Sequence, residues 1–156
     1  MTFAAGTSVP IERTKVEIER LLARYGCTQF GSGWAKAGGQ DFAHITFKHG
    51  DVSVMLGLPM PPIAEFAHTP TGRLRRSVVQ REEAYEQEKR RRWRALMLVI
   101  KAKLEAVSCG ISTLEREFLS DVVLPNGRTI GEWAIPHLAE IQSGRLALPA
   151  HEDSKR

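Results

Sequence analysis

The first regular pattern along the chain is helical and runs from about Pro10 to Tyr25. Apolar residues recur there at intervals of three, four and seven, the spacing of one helix face. They are Ile11, Ile18, Leu21, Leu22 and Tyr25. Pro10 suits the first turn of a helix, and Gly26 is a common stop residue. The pattern predicts an amphipathic helix with one face against a core.

The period changes to two between Thr28 and Leu58, which indicates β-strands. A first strand, interrupted by glycines, contains Phe30 and Trp34. The second and third strands carry apolar residues at alternate positions: Ala43, Ile45, Phe47, Val52, Val54, Leu56 and Leu58. We predict a turn over residues 37–41 and a two-residue loop at His49-Gly50. Three strands joined by tight turns form an antiparallel meander.

Prolines at positions 59, 61 and 62 end the sheet, because proline has no N–H to donate between strands. Residues 60–76 are predicted to form a long loop. Ser77 and Gln80 then have the spacing of a capping box, and a helix without proline or glycine follows to Ser108. Its first half is polar, whereas an apolar stripe runs from Trp93 to Val107. We expect the polar half to project beyond the core or to pack lightly.

Two more capping boxes follow, at Ser112–Glu115 and Thr129–Glu132, and they predict two short helices, the second interrupted or restarted at Pro136. The predicted fold class is α+β: an N-terminal helix, a three-stranded antiparallel meander, a long helix and two short C-terminal helices. We assign residues 1–148 to a single domain and residues 149–156 to a polar tail.

Composition excludes several protein classes. The 156 residues are 42% hydrophobic and 26% charged, which is ordinary for a folded protein and argues against wholesale disorder. The start of the chain lacks the basic and apolar regions of a signal peptide. The longest apolar stretch, Ala95–Ile100, is far shorter than the roughly 20 residues that cross a bilayer. We expect a location in the cytoplasm of a bacterial host cell, with Cys27 and Cys109 as buried, reduced thiols.

The formal net charge of +4 is small, but its distribution along the chain is uneven. The segment between Arg73 and Lys103 holds 11 basic and four acidic residues, a net charge of +7, whereas the rest of the chain has a net charge of −3. Arginine matches phosphate oxygens well because its planar fork donates two parallel hydrogen bonds. We predict that this segment binds nucleic acid or a protein partner through these residues: Arg73, Arg75, Arg76, Arg81, Lys89, Arg90, Arg91, Arg92 and Arg94.

The same charges have a simpler interpretation, in which the helix pairs them internally. Glu86–Arg90 and Glu88–Arg92 have the i,i+4 spacing of stabilising helix ion pairs, in the favourable order. The stretch from Arg73 to Arg76 has no neighbouring acid. Both interpretations stay open at this point.

The loop before the long helix contains a candidate phosphate-binding segment formed by His68, Thr69, Thr71 and Gly72. Its threonine hydroxyls, a concave backbone at Gly72 and the Arg73 side chain are suited to an anion. The alternative is a turn that caps the long helix. The sheet aromatics Phe30, Trp34, Phe42 and Phe47 are likewise either a stacking surface for bases or part of the core.

Signatures of catalysis and of metal binding are missing from the sequence. Its histidines do not form a His-Glu-x-x-His frame, and Gly31-Ser32-Gly33 lacks the lysine of a phosphate loop. A metal site around one hairpin, built from Asp41, His44, His49 and Asp51, is a weak alternative. We predict no metal, no cofactor and no enzyme activity.

Several segments together resemble a family of small proteins from tailed bacteriophages and prophages. They are residues 7–10, 66–73, 95–105, 118–119 and 124–133. The resemblance implies a phage or prophage setting and brings no activity or site residues with it. We therefore predict a non-catalytic accessory protein that binds DNA or RNA. The alternative is a modulator or inhibitor of an acidic host (anti-defence) or phage protein. A homodimer stays open, and a membrane partner is not expected.

Overall fold

The computed structural model describes residues 6–37, 40–74 and 77–146. Its helices and strands follow the predicted order and confirm the α+β class. They are α1 (Ile11–Ala23), β1 (Cys27–Ala37), β2 (Gln40–His49), β3 (Val52–Pro59), α2 (Val78–Ser108), α3 (Leu114–Glu117), α4 (Ile130–Ala134) and α5 (Leu138–Gln142). Short 3₁₀ helices span Ile63–Ala67, Leu119–Asp121 and Ile135–His137, the last of them containing Pro136. The predicted tail, 149–156, lies outside the described residues.

The three strands form one antiparallel sheet in the order β1-β2-β3. The predicted alternation is confirmed, because Ala43, Ile45 and Phe47 on β2 are buried.

The hairpin loop differs from the prediction by one residue. His49 still pairs with Val52, so the loop is Gly50-Asp51 rather than His49-Gly50. Gly50 has φ of +58°, a conformation that glycine adopts without steric cost.

One face of the sheet, the inner face, packs against α1 and α2. From α2 the core receives a stripe of buried residues that begins at Trp93 and continues with Leu96, Met97, Ile100 and Leu104. Phe118 closes the far end of the core, with its ring 5.5 Å from that of Phe47 and nearly perpendicular to it. Each fully buried side chain of this size contributes about 1.5–3 kcal/mol of transfer free energy. The helix is therefore held to the sheet by its C-terminal half.

The glycines of β1 make room for side chains of the neighbouring strand. A Cβ atom at Gly33 would lie 2.8 Å from the imidazole of His44, and one at Gly31 would lie 2.8 Å from the hydroxyl of Thr46. A register shift between Thr28 and Gly31 adds a bulge. Close packing therefore explains the glycine pattern, and a phosphate loop does not.

The segment between β3 and α2 is more ordered than the predicted loop. It contains the 3₁₀ helix Ile63–Ala67 and a bridge between His68 and Leu74. The polar half of α2 packs lightly against this region, as the ring of Tyr85 lies 5.7 Å from that of Phe66. The side-chain amide of Gln87 also donates to the carbonyl of Thr7 at 2.9 Å.

Capping residues set the starts of the later helices. The hydroxyl of Ser77 accepts a hydrogen bond from the N–H of Gln80 at 3.1 Å, as predicted. Both bonds of the capping box between Thr129 and Glu132 are present. The predicted cap at Ser112 is wrong by one position, because Thr113 caps α3 instead. Serine and threonine both cap helices well, so the sequence alone did not show which of these two adjacent residues caps α3.

Among the described helices, none combines the length and the apolar character needed to span a bilayer.

The two cysteines occupy opposite environments. Cys27 is buried in the core, and burial raises the pKa of its thiol to about 11. Cys109 is exposed at the end of α2, so the expectation that both thiols are buried is wrong for this residue. Its position just past the last turn of the helix places it beyond the apolar stripe.

This difference predicts selective thiol chemistry. At about pH 8, an aromatic disulfide reagent should react quickly with Cys109, whereas Cys27 should react only on unfolding, because the thiolate is the nucleophile. Absorbance should therefore report one thiol per native chain and two in denaturant. A Cys109→Ser chain with no fast thiol is the control, and rapid reaction of Cys27 in the native protein would contradict the packing described above.

Candidate functional site

The nine basic residues predicted to bind a partner lie on the loop before α2 and on the N-terminal half of that helix. Two of them, Arg75 and Arg76, lie outside the described residues. The others fall into two groups, according to whether a carboxylate neutralises them. This division decides which of them remain available to an anionic partner.

Glu88 organises the first group. Its carboxylate accepts hydrogen bonds from Arg91 at 2.5 and 2.7 Å and from Arg92 at 2.8 Å. These bonds, with that of Arg91 as the largest cause, lower the pKa of Glu88 despite its partial burial. The predicted Glu88–Arg92 pair is thus confirmed. The predicted Glu86–Arg90 pair is wrong, because Glu86 lies 2.5 Å from Lys89.

A second carboxylate, on α1, is shared in the same way. Glu17 pairs with Arg94 across the interface between α1 and α2, and its other oxygen lies 3.5 Å from Arg13. Glu17 and Glu88 therefore each hold two guanidinium groups. Each cluster keeps a net charge of +1 after pairing, so internal ion pairs reduce the positive charge of this surface without cancelling it.

The second group keeps its full charge. Arg90 donates two hydrogen bonds to the side-chain oxygen of Gln87, at 2.7 and 3.1 Å, and this acceptor is neutral. Within the described parts of the chain, the guanidinium groups of Arg73 and Arg81 have neither a hydrogen bond nor an ion pair. Arg73 is exposed on the loop, and Arg81 is half-buried on the first turns of α2.

Arg73 and Arg90 line one open groove of about 870 Å³, which we call the basic groove. The loop forms one wall and α2 the other. The residues that line it are Thr69, Arg73, Leu74, Gln80, Glu83, Ala84, Gln87 and Arg90. Glu83 is the single carboxylate among them, against two guanidinium groups. The groove thus combines a positive charge with amide and hydroxyl groups, a donor set suited to phosphate oxygens.

The loop from His68 to Leu74 is a closed turn rather than an anion nest. The N–H of Gly72 donates to the carbonyl of Thr69 at 2.8 Å, and the N–H of Arg73 donates to the Thr69 hydroxyl at 3.0 Å. The hydroxyls of Thr69 and Thr71 lie 3.0 Å apart. These amides are used within the loop, and Ser77 rather than the loop caps α2. The backbone of this turn is therefore occupied by internal hydrogen bonds, and the Arg73 side chain is exposed at its end.

The structure separates the four sheet aromatics. Phe47 is buried in the core, and Phe30 and Phe42 are partly buried. Trp34 is 56% exposed, and the Lys89 ammonium lies 6.0 Å from the centre of its ring. The sequence could not separate these four residues. An alternating pattern indicates which residues share a face of the sheet, but it does not show how far the apolar part of a helix covers that face.

The site also includes residues that the sequence analysis missed. One of them is the ion pair between Glu88 and Arg91, which the sequence could have indicated because the two residues have the i,i+3 spacing of helix ion pairs. The contact between Glu17 and Arg94 joins positions 77 residues apart, and it has no local signal.

Other candidate sites are less well formed. The hypothetical hairpin metal site is not supported, because no group of three or more His, Cys, Asp or Glu side chains within residues 6–37, 40–74 and 77–146 is placed to hold a metal ion. A second groove, of about 800 Å³, lies between the outer face of the sheet and α4. There Arg128 is accompanied by two carboxylates, Asp121 and Glu132, so the lining of this groove is net negative rather than positive.

No family model, curated protein or solved structure matches this chain.

The shared carboxylate of Glu88 predicts a dependence of stability on pH. Its pKa is lower in the folded chain than in the unfolded chain, so its contribution is complete above about pH 4.3 and is lost as the pH falls through the folded value. Relative to a Glu88→Gln chain, the native protein should be more stable at pH 7 by about 1 kcal/mol, and this advantage should shrink below about pH 4. Chemical unfolding across this pH range measures it. A constant difference would contradict the pairing.

Proposed function

We propose that this protein binds nucleic acid, without catalysing a reaction on it, through the basic groove and the N-terminal half of α2. The observation that carries the proposal is that Arg73 and Arg90, neither neutralised by a described carboxylate, line one open groove. Two guanidinium groups in a concave surface suit two phosphates of a nucleic-acid backbone. Such contacts provide affinity rather than sequence specificity.

The paired arginines reinforce this surface. Arg91 and Arg92 share one carboxylate, as do Arg13 and Arg94, so a field of positive charge extends beyond the groove along α2 and α1. Neutralising several phosphates releases counterions, which makes the affinity fall steeply with salt. The resemblance to small proteins of tailed phages and prophages supports an accessory role in that setting.

Charge reversal of the groove tests the proposal directly. An Arg73→Glu, Arg90→Glu double variant should bind a DNA or RNA oligonucleotide at least about tenfold more weakly, and the slope of log affinity against log salt should fall by about 2, one for each lost phosphate contact. Fluorescence anisotropy over a salt series measures both quantities.

The matched control is an Arg24→Glu, Arg116→Glu double variant, which changes the net charge equally at exposed positions outside the groove. A similar loss in both variants would mean that only overall charge matters. Absence of binding by the native protein to single-stranded and duplex DNA and RNA at low salt would refute the proposal.

A gain of affinity provides an independent test. Glu88→Gln should release Arg91 and Arg92 for phosphate contacts, whereas Glu82→Gln adds the same unit of charge at an exposed position without breaking an ion pair that the structure describes. We expect Glu88→Gln to raise the affinity several-fold more than Glu82→Gln and to steepen the salt dependence. Equal effects would show that the two arginines take no part in binding.

A second candidate function is docking of the same surface on an acidic protein. It is favoured by the exposure of three apolar side chains beside Arg73 and Arg81, namely Leu74, Val78 and Val79. Apolar residues next to arginines are typical of protein interfaces and contribute little to phosphate binding. Failure of all the nucleic-acid probes would favour this candidate.

A further inference from the structure

Trp34 has an unusual position for an inner-face residue. In the sheet register it pairs with Ala43, which in turn pairs with Leu58, so its side chain lies on the face that holds the core. Ala43 is completely buried, yet Trp34 is 56% exposed. A tryptophan buries up to roughly 250 Å² when it is covered, so leaving this ring in water forgoes a large apolar contribution.

The exposure follows from the composition of α2. The buried stripe of this helix begins at Trp93, and the turn before it presents Lys89 to this corner of the sheet. The Lys89 ammonium lies 6.0 Å from the ring centre of Trp34 and 5.1 Å from that of Tyr85, and Glu86 holds it in place. An anchored cation thus borders the indole on the helix side, and much of the remaining ring surface is open.

A second basic side chain, that of Arg92, lies near Lys89 on α2. Arg92 lies on the same side of α2 as Lys89, and its guanidinium donates to the carbonyl of Pro59 at the end of β3 as well as to Glu88. An exposed aromatic ring beside cations is the combination that binds single strands: a base stacks on the ring while the cations attract the backbone. In a duplex, both faces of each base are already covered by its neighbours.

We infer that Trp34 is a stacking platform for an unpaired base, and that the nucleic acid bound by this protein is single-stranded. This inference rests on the proposed function and adds the class of ligand. The cations of α2 attract the backbone, and Trp34 distinguishes unpaired bases from a duplex. Stacking on a ring tolerates every base, so little sequence preference is expected.

The test compares strand states in matched variants. The probes are a fluorescein-labelled oligothymidylate of about 12 nucleotides and a DNA duplex of the same length. The native protein should prefer the single strand. Trp34→Leu, which keeps an apolar side chain without a ring, should weaken single-strand binding about tenfold and leave duplex binding and the salt slope unchanged. Trp34→Phe should retain most of the affinity.

Tryptophan fluorescence gives a second readout at the same position. In a Trp133→Phe background, binding of the oligothymidylate should quench the emission, and adding Trp34→Phe should abolish the quenching because Trp93 is buried. Trp133→Leu, at a partly exposed tryptophan on α4, is the matched control and should leave affinity unchanged.

The outcomes separate the two proposals. If the native protein binds nucleic acid but Trp34→Leu has no effect, or weakens single-strand and duplex binding equally, the stacking inference is overturned and the proposed function stands. If no probe binds at low salt, the proposed function fails, and the stacking inference fails with it.

Discussion

The packing of α2 on the sheet is the contact on which the rest of this structure depends. The helix has 31 residues, but its buried stripe begins only at Trp93, so one half belongs to the core and the other half does not. Trp93 is nearly completely buried, and its indole N–H has no hydrogen-bond partner in the described chain. An unsatisfied buried donor costs about 1–3 kcal/mol, which indicates how strongly apolar packing dominates at this point. Because the core fixes the C-terminal half, it also determines where the polar half emerges.

The emerging half carries more positive charge than its carboxylates can neutralise. Glu17 and Glu88 each hold two arginines, an arrangement that orders the guanidinium groups and leaves a net positive charge. Arg90 is ordered by a neutral amide and therefore keeps its whole charge. Ordered cations lose less conformational freedom when they bind an anion, so partial internal pairing is compatible with a binding surface. Among the described residues, the same pairing narrows the candidate site from the nine basic residues predicted to the few without a carboxylate partner, with Arg73 and Arg90 in the basic groove.

The elements that could be predicted are those that depend on local signals. Alternation in β2 and β3 identified the buried face of the sheet. The predicted apolar stripe of α2 is buried from Trp93 to Leu104 and packs against the core at Val107, because burial of one face imposes its period on the sequence. The caps at Ser77 and Thr129 were also found from spacing alone. Errors arose where two neighbours were equally suited, as with the cap at Thr113, or where several partners competed for one side chain. Glu86 had both Lys89 and Arg90 within reach along the helix; it pairs with Lys89, and Arg90 donates to Gln87 instead.

By itself the sequence determined the α+β class, the order of the elements and the segregation of charge, since each of these follows from short-range periodicity and composition. Tertiary structure decided which cations are neutralised, because the pairing of Glu17 with Arg94 joins two helices that lie far apart in the chain. It also decided that, among the four sheet aromatics, Trp34 is the exposed one. Exposure depends on where a covering helix changes from apolar to polar relative to the sheet beneath it. That relation is a property of packing, and no local pattern contains it.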